Sequence, residues 1–109
     1  MTLALPEPVA AYLAAEEAKD AERLSRCFAE NGLVHDEGRD YRGREAIVHW
    51  KRAADAKYRY TTLPLSAYTH GNAVTVQVRL TGDFPGSPVE VNQIFTLSNS
   101  KIVSLEIRS

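Results

Sequence analysis

Apolar residues recur at helical spacing in the first half of the chain. In "PEPVAAYLAAEEAKD", Val9, Tyr12 and Leu13 fall on one face of a helix. The next stretch, "DAERLSRCF", repeats this spacing as far as Phe28, and Asp20 stands where a capping residue binds the free amides of a first turn. We therefore predict two helices joined by a very short turn.

A third helix is predicted in "REAIVHWKRAADA". Ile47, Trp50 and Ala54 form an apolar stripe along it, and Glu45 lies near the positive end of the helix dipole. The segment "LVHD" and the loop "EGRDYRG" separate this helix from the first two.

Apolar and polar residues alternate in the second half of the chain, which is typical of strands with one buried face. The alternation is clearest in "AVTVQVRLTG", "VEVNQIFTL" and "KIVSLEIRS". Their predicted inward positions are Val74, Val76, Val78, Leu80, Val91, Gln93, Phe95, Leu97, Val103, Leu105 and Ile107. "YRYTTLPLSAY" is a poorer strand, because Pro64 favours a sheet edge or a bulge. "SNSK" predicts a tight hairpin and "GDFPGSP" a longer loop. Helices followed by hairpin-linked strands predict an α+β fold with an antiparallel sheet.

One inward position on these strands is polar. Gln93 shares its strand face with Val91 and Phe95, so the predicted core contains a buried amide. A buried polar group without a hydrogen bond costs about 1–3 kcal/mol. The amide therefore needs a partner, which is either another protein group or a ligand.

The composition favours a single domain that spans residues 1–109, and it lacks the basic charge that is typical of a nucleic-acid binder. The 13 basic and 14 acidic residues give a formal charge of −1, with no long run of either sign. Cys27 is the single cysteine, which fits a reducing compartment. The stretch "MTLALPEPVAAYLAAEEAKD" has no basic leader and no apolar run of membrane length. We expect a cytoplasmic protein that binds neither nucleic acid nor membranes.

Metal and cofactor chemistry has no clear signal in the sequence. His35, His49 and His70 are scattered, and none has a second histidine or a carboxylate at a spacing that would identify a metal site. Nothing resembles a glycine-rich phosphate loop. We predict no metal site and no cofactor.

The order of the elements and motifs resembles a known family. Two helices are followed by "FAENGLVHD", then "YRGREAI", then strands that end in "FTLSNSKIV". This arrangement resembles the nuclear transport factor 2-like superfamily, in particular the ketosteroid isomerases and SnoaL-like polyketide cyclases. The resemblance implies a cone-shaped, strongly curved antiparallel sheet wrapped around three helices, with an apolar pocket between them. It also implies a homodimer packed through the sheet, for which Ile94 and Ile102 supply apolar outer positions.

The resemblance further implies roles for three residues. Tyr12 matches the tyrosine that donates a hydrogen bond to the substrate oxyanion, and Asp36 matches the aspartate that moves the proton. Gln93 departs from the pattern, because it stands where the isomerases hold a protonated carboxylic acid as second donor. A glutamine can donate one N–H but is the weaker donor. The residues expected to line a pocket for a small hydrophobic molecule are Phe28, Trp50, Val76, Val78, Val91, Phe95 and Leu105.

Other interpretations of the same residues remain open at the level of sequence. Asp36 could be a solvated carboxylate paired with Arg39 or Arg42, and Tyr12 could be an ordinary core tyrosine. Three classes of function follow. The chain could be an isomerase, cyclase or dehydratase of enolisation type, a binding module without turnover, or a structural dimer whose cone is filled by its own side chains. A raised pKa of Asp36 would favour the first class.

Overall fold

Three helices pack against one face of a six-stranded sheet in the computed structural model, which describes residues 4–109. Residues 1–3, which begin the stretch in which we expect no leader, lie outside the described residues. The helices are α1 (Glu7–Glu17), α2 (Ala21–Ser25) and α3 (Arg44–Lys57). The strands are β1 (Phe28–Asp36), β2 (Arg39–Arg42), β3 (Tyr60–His70), β4 (Ala73–Gly82), β5 (Val89–Ser98) and β6 (Lys101–Arg108). This arrangement confirms the α+β class.

The strands lie in the order β2-β1-β6-β5-β4-β3. Every neighbouring pair is antiparallel except β1 and β6, which run parallel. The sheet is therefore mixed, whereas the sequence predicted a purely antiparallel one. Hairpin turns set the direction of neighbouring strands, but β1 and β6 are joined through α3 and four further strands, so no turn fixes their relative direction.

The predicted strand faces are confirmed on β4 and β5. Val74, Val76, Val78 and Phe95 are buried on the face toward the helices, which we call the inner face. Val91 is partly buried and packs against the same cluster. The period-2 pattern therefore identified the core side of these strands correctly.

Strand β6 departs from its predicted pattern at two residues, because the alternation predicts an inward Val103 and an outward Ile102, whereas Ile102 lies in the core cluster and Val103 does not. Thr96 pairs with Ser104 but the next residue, Leu97, pairs with Ile102, so Val103 is an extra residue in a bulge. The bulge reverses the alternation, and Ile102 is fully buried in the core instead of lying on the outer face. Leu105, beyond the bulge, is buried as predicted.

The second helix is shorter than predicted. Asp20 caps it as expected, since its Oδ1 accepts a hydrogen bond of 3.0 Å from the backbone N–H of Arg23. The helix ends at Ser25, however, and Phe28 begins β1. Phe28 is nevertheless fully buried, because the inner face of the strand continues the apolar face of the helix.

The predicted loop after Asp36 contains a short strand. Glu37 and Gly38 both adopt positive φ, 53° and 76°, and this two-residue turn returns the chain antiparallel to β1 as β2. The other turn and edge predictions hold. Strand β3 lies at the sheet edge with a register shift after Pro64, and Asn99 has a φ of 51° in the β5–β6 hairpin.

Within residues 4–109, no helix is long and apolar enough to span a membrane. The core is one hydrophobic cluster in which the inner faces of α1 and α3 meet β1, β4, β5 and β6. Two charged residues, Glu16 on α1 and Lys51 on α3, are buried beside it.

Candidate functional site

Tyr12, on α1, packs against the inner face of the sheet. Its ring packs edge-on against Phe95 at 5.1 Å and against Phe28 at 6.0 Å between centroids. The side chain has no exposed surface, and its hydroxyl makes no hydrogen bond within residues 4–109. Burial raises the pKa of Tyr12 well above its ordinary value, and the charges of Glu16 and Asp36 raise it further. The hydroxyl is therefore a neutral, unused donor in an apolar setting.

Gln93 lies on β5, two residues from Phe95 on the same inner face. The residue is 2% exposed, and its amide oxygen has no hydrogen-bond partner in the described part of the chain. A half-turn about the last side-chain bond would present the NH₂ group at the position of the oxygen. The amide can thus donate or accept, and the polar group expected among hydrocarbons is present.

Asp36 ends β1 and is held by a side chain of α3. The indole N–H of Trp50 donates to Asp36 Oδ2 at 3.0 Å. Burial raises the pKa of Asp36, and the hydrogen bond from Trp50 opposes this rise without cancelling it. The ion pairs found among residues 4–109 do not include one between Asp36 and Arg39 or Arg42. A raised pKa is the property that we expect of a base rather than of an arginine-paired carboxylate.

The strand register puts Asp36 and Gln93 in one row of the sheet. Strand β1 is parallel to β6, with Val34 beside Leu105, so two residues further on Asp36 is level with Ile107. Ile107 pairs with Gln93 on β5. Asp36 and Gln93 are therefore two strands apart, which corresponds to about 10 Å between their Cα atoms. No hydrogen bond joins either side chain to Tyr12 in the described structure.

The apolar residues predicted to line a pocket belong to the core. Phe28, Trp50, Val76, Val78, Phe95 and Leu105 are members of one cluster with Tyr12, and Val91 packs against it. Two pockets lie elsewhere on the described surface, one of about 390 Å³ between α2 and α3 and one of about 190 Å³ beside the β5–β6 turn. Neither is lined by Tyr12, Asp36 or Gln93. The predicted lining residues therefore pack against one another around Tyr12 in the core.

A buried charged network that the sequence patterns did not predict lies beside Tyr12. Lys51 Nζ donates to Glu16 Oε2 at 3.0 Å and to the Tyr60 hydroxyl, and it lies 3.3 Å from Asp55 Oδ1. The Tyr60 hydroxyl in turn donates to Asp55 Oδ1 at 3.1 Å. The sequence does hold a signal for it. Glu16 follows the core residue Tyr12 by four positions, and Lys51 follows a core isoleucine of α3 at the same spacing, so both charges lie on buried helix faces.

The network keeps Lys51 charged and Tyr60 neutral. Burial alone would lower the pKa of Lys51, but the charge of Glu16 and the contacts with Tyr60 and Asp55 outweigh burial and raise it. Burial raises the pKa of Tyr60 to about 12, against the opposing effect of the Lys51 charge. Lys51 is therefore a fixed cation rather than a proton acceptor.

Among residues 4–109, no group of three or more His, Cys, Asp or Glu side chains could hold a metal ion.

Comparisons with known proteins agree on the fold. The sequence matches the family of SnoaL-like domains over residues 9–105. A proposed polyketide cyclase from Sinorhizobium meliloti is 36% identical, with a TM-score of 0.92 and 95% of each chain covered. A protein with a ketosteroid isomerase-like fold from Catenulispora acidiphila, solved in complex with trimethylamine, is 27% identical. Its TM-score is 0.85, with 97% of this chain and 87% of that chain covered. A cystatin-fold protein from Novosphingobium aromaticivorans, 19% identical, shares the fold with a TM-score of 0.80 over 94% of this chain and 96% of that one. No curated protein matches the chain.

Proposed function

The chain belongs to the SnoaL-like domain family, and from that premise we propose that it binds a small hydrophobic carbonyl compound and catalyses its enolisation. Asp36 is the base, and Tyr12 and Gln93 donate hydrogen bonds to the carbonyl oxygen. The product is an isomer or a cyclised compound. The S. meliloti relative is itself a proposed polyketide cyclase, which supports this class of reaction.

The observation that carries this proposal is the pair of unused polar groups on the inner face. Tyr12 and Gln93 each bury a polar atom without a hydrogen-bond partner in residues 4–109. Each such atom costs about 1–3 kcal/mol. A ligand oxygen that accepts from the Tyr12 hydroxyl, and from the Gln93 NH₂ group once the amide has made its half-turn, would recover part of this cost. In a dry site the same two donors stabilise the negative charge that develops on that oxygen.

The reaction needs only these groups. The Asp36 carboxylate removes a proton from the carbon next to the carbonyl, and the electron pair of the C–H bond moves to give an enolate whose oxygen is bound by Tyr12 and Gln93. Trp50 orients the carboxylate through Oδ2, and Oδ1 takes the proton. Return of the proton to another carbon gives isomerisation, and attack of the enolate carbon on a second carbonyl group gives ring closure.

The test is deuterium exchange of the α-protons of 1-indanone in D₂O, followed by proton NMR. The protein should accelerate exchange above the buffer rate. The acceleration should fall as the pH is lowered through the raised pKa of Asp36, because a base acts only when deprotonated. An exchange rate equal to that of buffer at every pH would overturn the catalytic proposal.

A second candidate is a non-catalytic domain, either a binding module or a structural dimer. The dense cluster formed by the predicted lining residues favours it, because a cone filled by its own side chains leaves little room for a substrate. Unaccelerated exchange together with a shift of the Trp50 indole signal on adding 1-indanone would identify the binding module.

We also propose that the chain forms a homodimer through the outer face of its sheet. Leu63 and Tyr68 on the edge strand β3 are 54% and 66% exposed, and Ile94 lies on the outer face of β5. Light scattering should give the mass of two chains at micromolar concentration, and Tyr68→Asp should shift it toward one. Arg52→Ala, on the helix side, should leave the dimer intact. A monomeric mass for the unmodified protein would exclude this interface.

A further inference from the structure

Glu16 has one carboxylate oxygen in use and one free. Its Oε2 accepts from Lys51 Nζ at 3.0 Å, whereas Oε1 is buried and accepts nothing from the described residues. The whole residue is 4% exposed, so bulk water does not reach it freely. A buried carboxylate oxygen requires a hydrogen-bond donor. Oε1 therefore has the capacity to accept a hydrogen bond from a donor group of a ligand.

The charges around Glu16 decide what kind of donor fits. Asp55 Oδ1 lies 3.3 Å from Lys51 Nζ and 3.8 Å from Lys19 Nζ, so two carboxylates face two ammonium groups. The cluster of Glu16, Asp55, Lys51 and Lys19 is thus electrically balanced. A buried ligand cation would lose its hydration without gaining a net counter-charge. The balanced cluster favours a neutral donor, such as a hydroxyl group, over an ammonium.

Thr62 adds a second unused group on the inner face of the neighbouring strand β3. It lies two residues from Tyr60 on β3, and both side chains point to the inner face, where the Tyr60 hydroxyl contacts Lys51. Thr62 Oγ1 is buried and has no hydrogen-bond partner within residues 4–109. A ligand hydroxyl can accept from Thr62 while donating to Glu16, which would satisfy both groups at once.

We propose that Glu16 and Thr62 bind a hydroxyl group of the ligand, so that the compound bound on the inner face is a hydroxylated carbonyl compound. The carbonyl group of this ligand rests on the proposed function. Its hydroxyl group rests only on Glu16 and Thr62, and the two groups can be tested with separate compounds.

The experiment titrates a matched set of ligands into ¹⁵N-labelled protein and follows the Trp50 indole signal, which is single because the chain has one tryptophan. The set is indane, 5-indanol and 1-indanone, which share one ring system and differ in the hydroxyl and carbonyl groups. We expect 5-indanol to bind at least about 10-fold more tightly than indane, as a hydrogen bond to a charged group predicts.

Variants of Thr62 and Glu16 test whether these residues produce the tighter binding of 5-indanol. Thr62→Val should weaken 5-indanol about 2- to 10-fold and Glu16→Gln about 10- to 100-fold, while binding of 1-indanone stays unchanged. Thr61→Val is the matched control, because Thr61 is the exposed neighbour that faces the other side of β3. If Glu16→Gln does not fold, the comparison of Thr62→Val with Thr61→Val decides the question.

The proposal is overturned if 5-indanol binds no better than indane, or if neither Glu16→Gln nor Thr62→Val reduces the difference. Failure of the proposed function gives a different pattern. In that case the protein does not accelerate exchange of the α-protons of 1-indanone, while the dependence of 5-indanol binding on Glu16 and Thr62 persists.

Discussion

Asp36→Asn is expected to abolish protein-catalysed exchange of the α-protons of 1-indanone while leaving the binding of this ketone nearly unchanged. The amide keeps the shape of the carboxylate, and its oxygen can still accept the indole N–H of Trp50, but it cannot take up a proton at neutral pH. General base catalysis contributes about 100- to 10,000-fold to a rate, and a loss of this size is expected. Proton NMR in D₂O measures the exchange, and the shift of the Trp50 indole signal measures binding.

Asp40→Asn is the matched control for this variant. Asp40 follows Asp36 in the β1–β2 hairpin, but its carboxylate is exposed and contacts His35 on the outside of the protein. Asp40→Asn should catalyse exchange of the α-protons of 1-indanone at the same rate as the unmodified protein. Equal rates for Asp36→Asn and the unmodified protein would show that another group, or none, acts as the base.

Lys51→Met is expected to destabilise the protein strongly. The Lys51 and Glu16 side chains are 2% and 5% exposed, so removal of the ammonium leaves a buried carboxylate without its counter-charge. Breaking a buried ion pair in this way costs about 3–5 kcal/mol. For a domain of this size, the melting temperature should fall by roughly 15 °C or more. Urea unfolding followed by Trp50 fluorescence measures the change in free energy.

Two comparisons separate this effect from general damage to α3. Arg52→Met changes the next residue of the helix, whose ion pair with Glu22 is exposed and should contribute at most about 1 kcal/mol. The double variant Glu16→Met with Lys51→Met removes both charges and should recover part of the stability, because no lone buried charge remains. Similar losses in Lys51→Met and Arg52→Met would mean that the buried pair adds nothing to stability.

Sequence patterns gave the inner faces of β4 and β5 because alternation depends only on each strand itself. They placed Ile102 on the wrong face because the bulge at Val103 depends on how β6 pairs with β5. This pairing cannot be read from the sequence of β6 alone. The burial of Tyr12 and Gln93 followed from their spacing along α1 and β5. The ion pair of Glu16 and Lys51 did not, because each residue alone resembles a surface charge, and their meeting depends on the packing of α1 against α3.

The position of β6 inside the sheet also has a consequence for how the chain folds as it is synthesised. Strand β6 lies between β1 and β5, so it alone joins the β1–β2 hairpin to the antiparallel strands β3 to β5. Val34 pairs with Leu105, which lies far later in the sequence. The two parts of the sheet therefore cannot join until Leu105 has been synthesised. Contacts so distant in sequence slow folding and leave strand edges unpaired meanwhile. We therefore expect folding to be completed only after residues 101–108 have left the ribosome, with the edges of β1 and β5 exposed to aggregation until then.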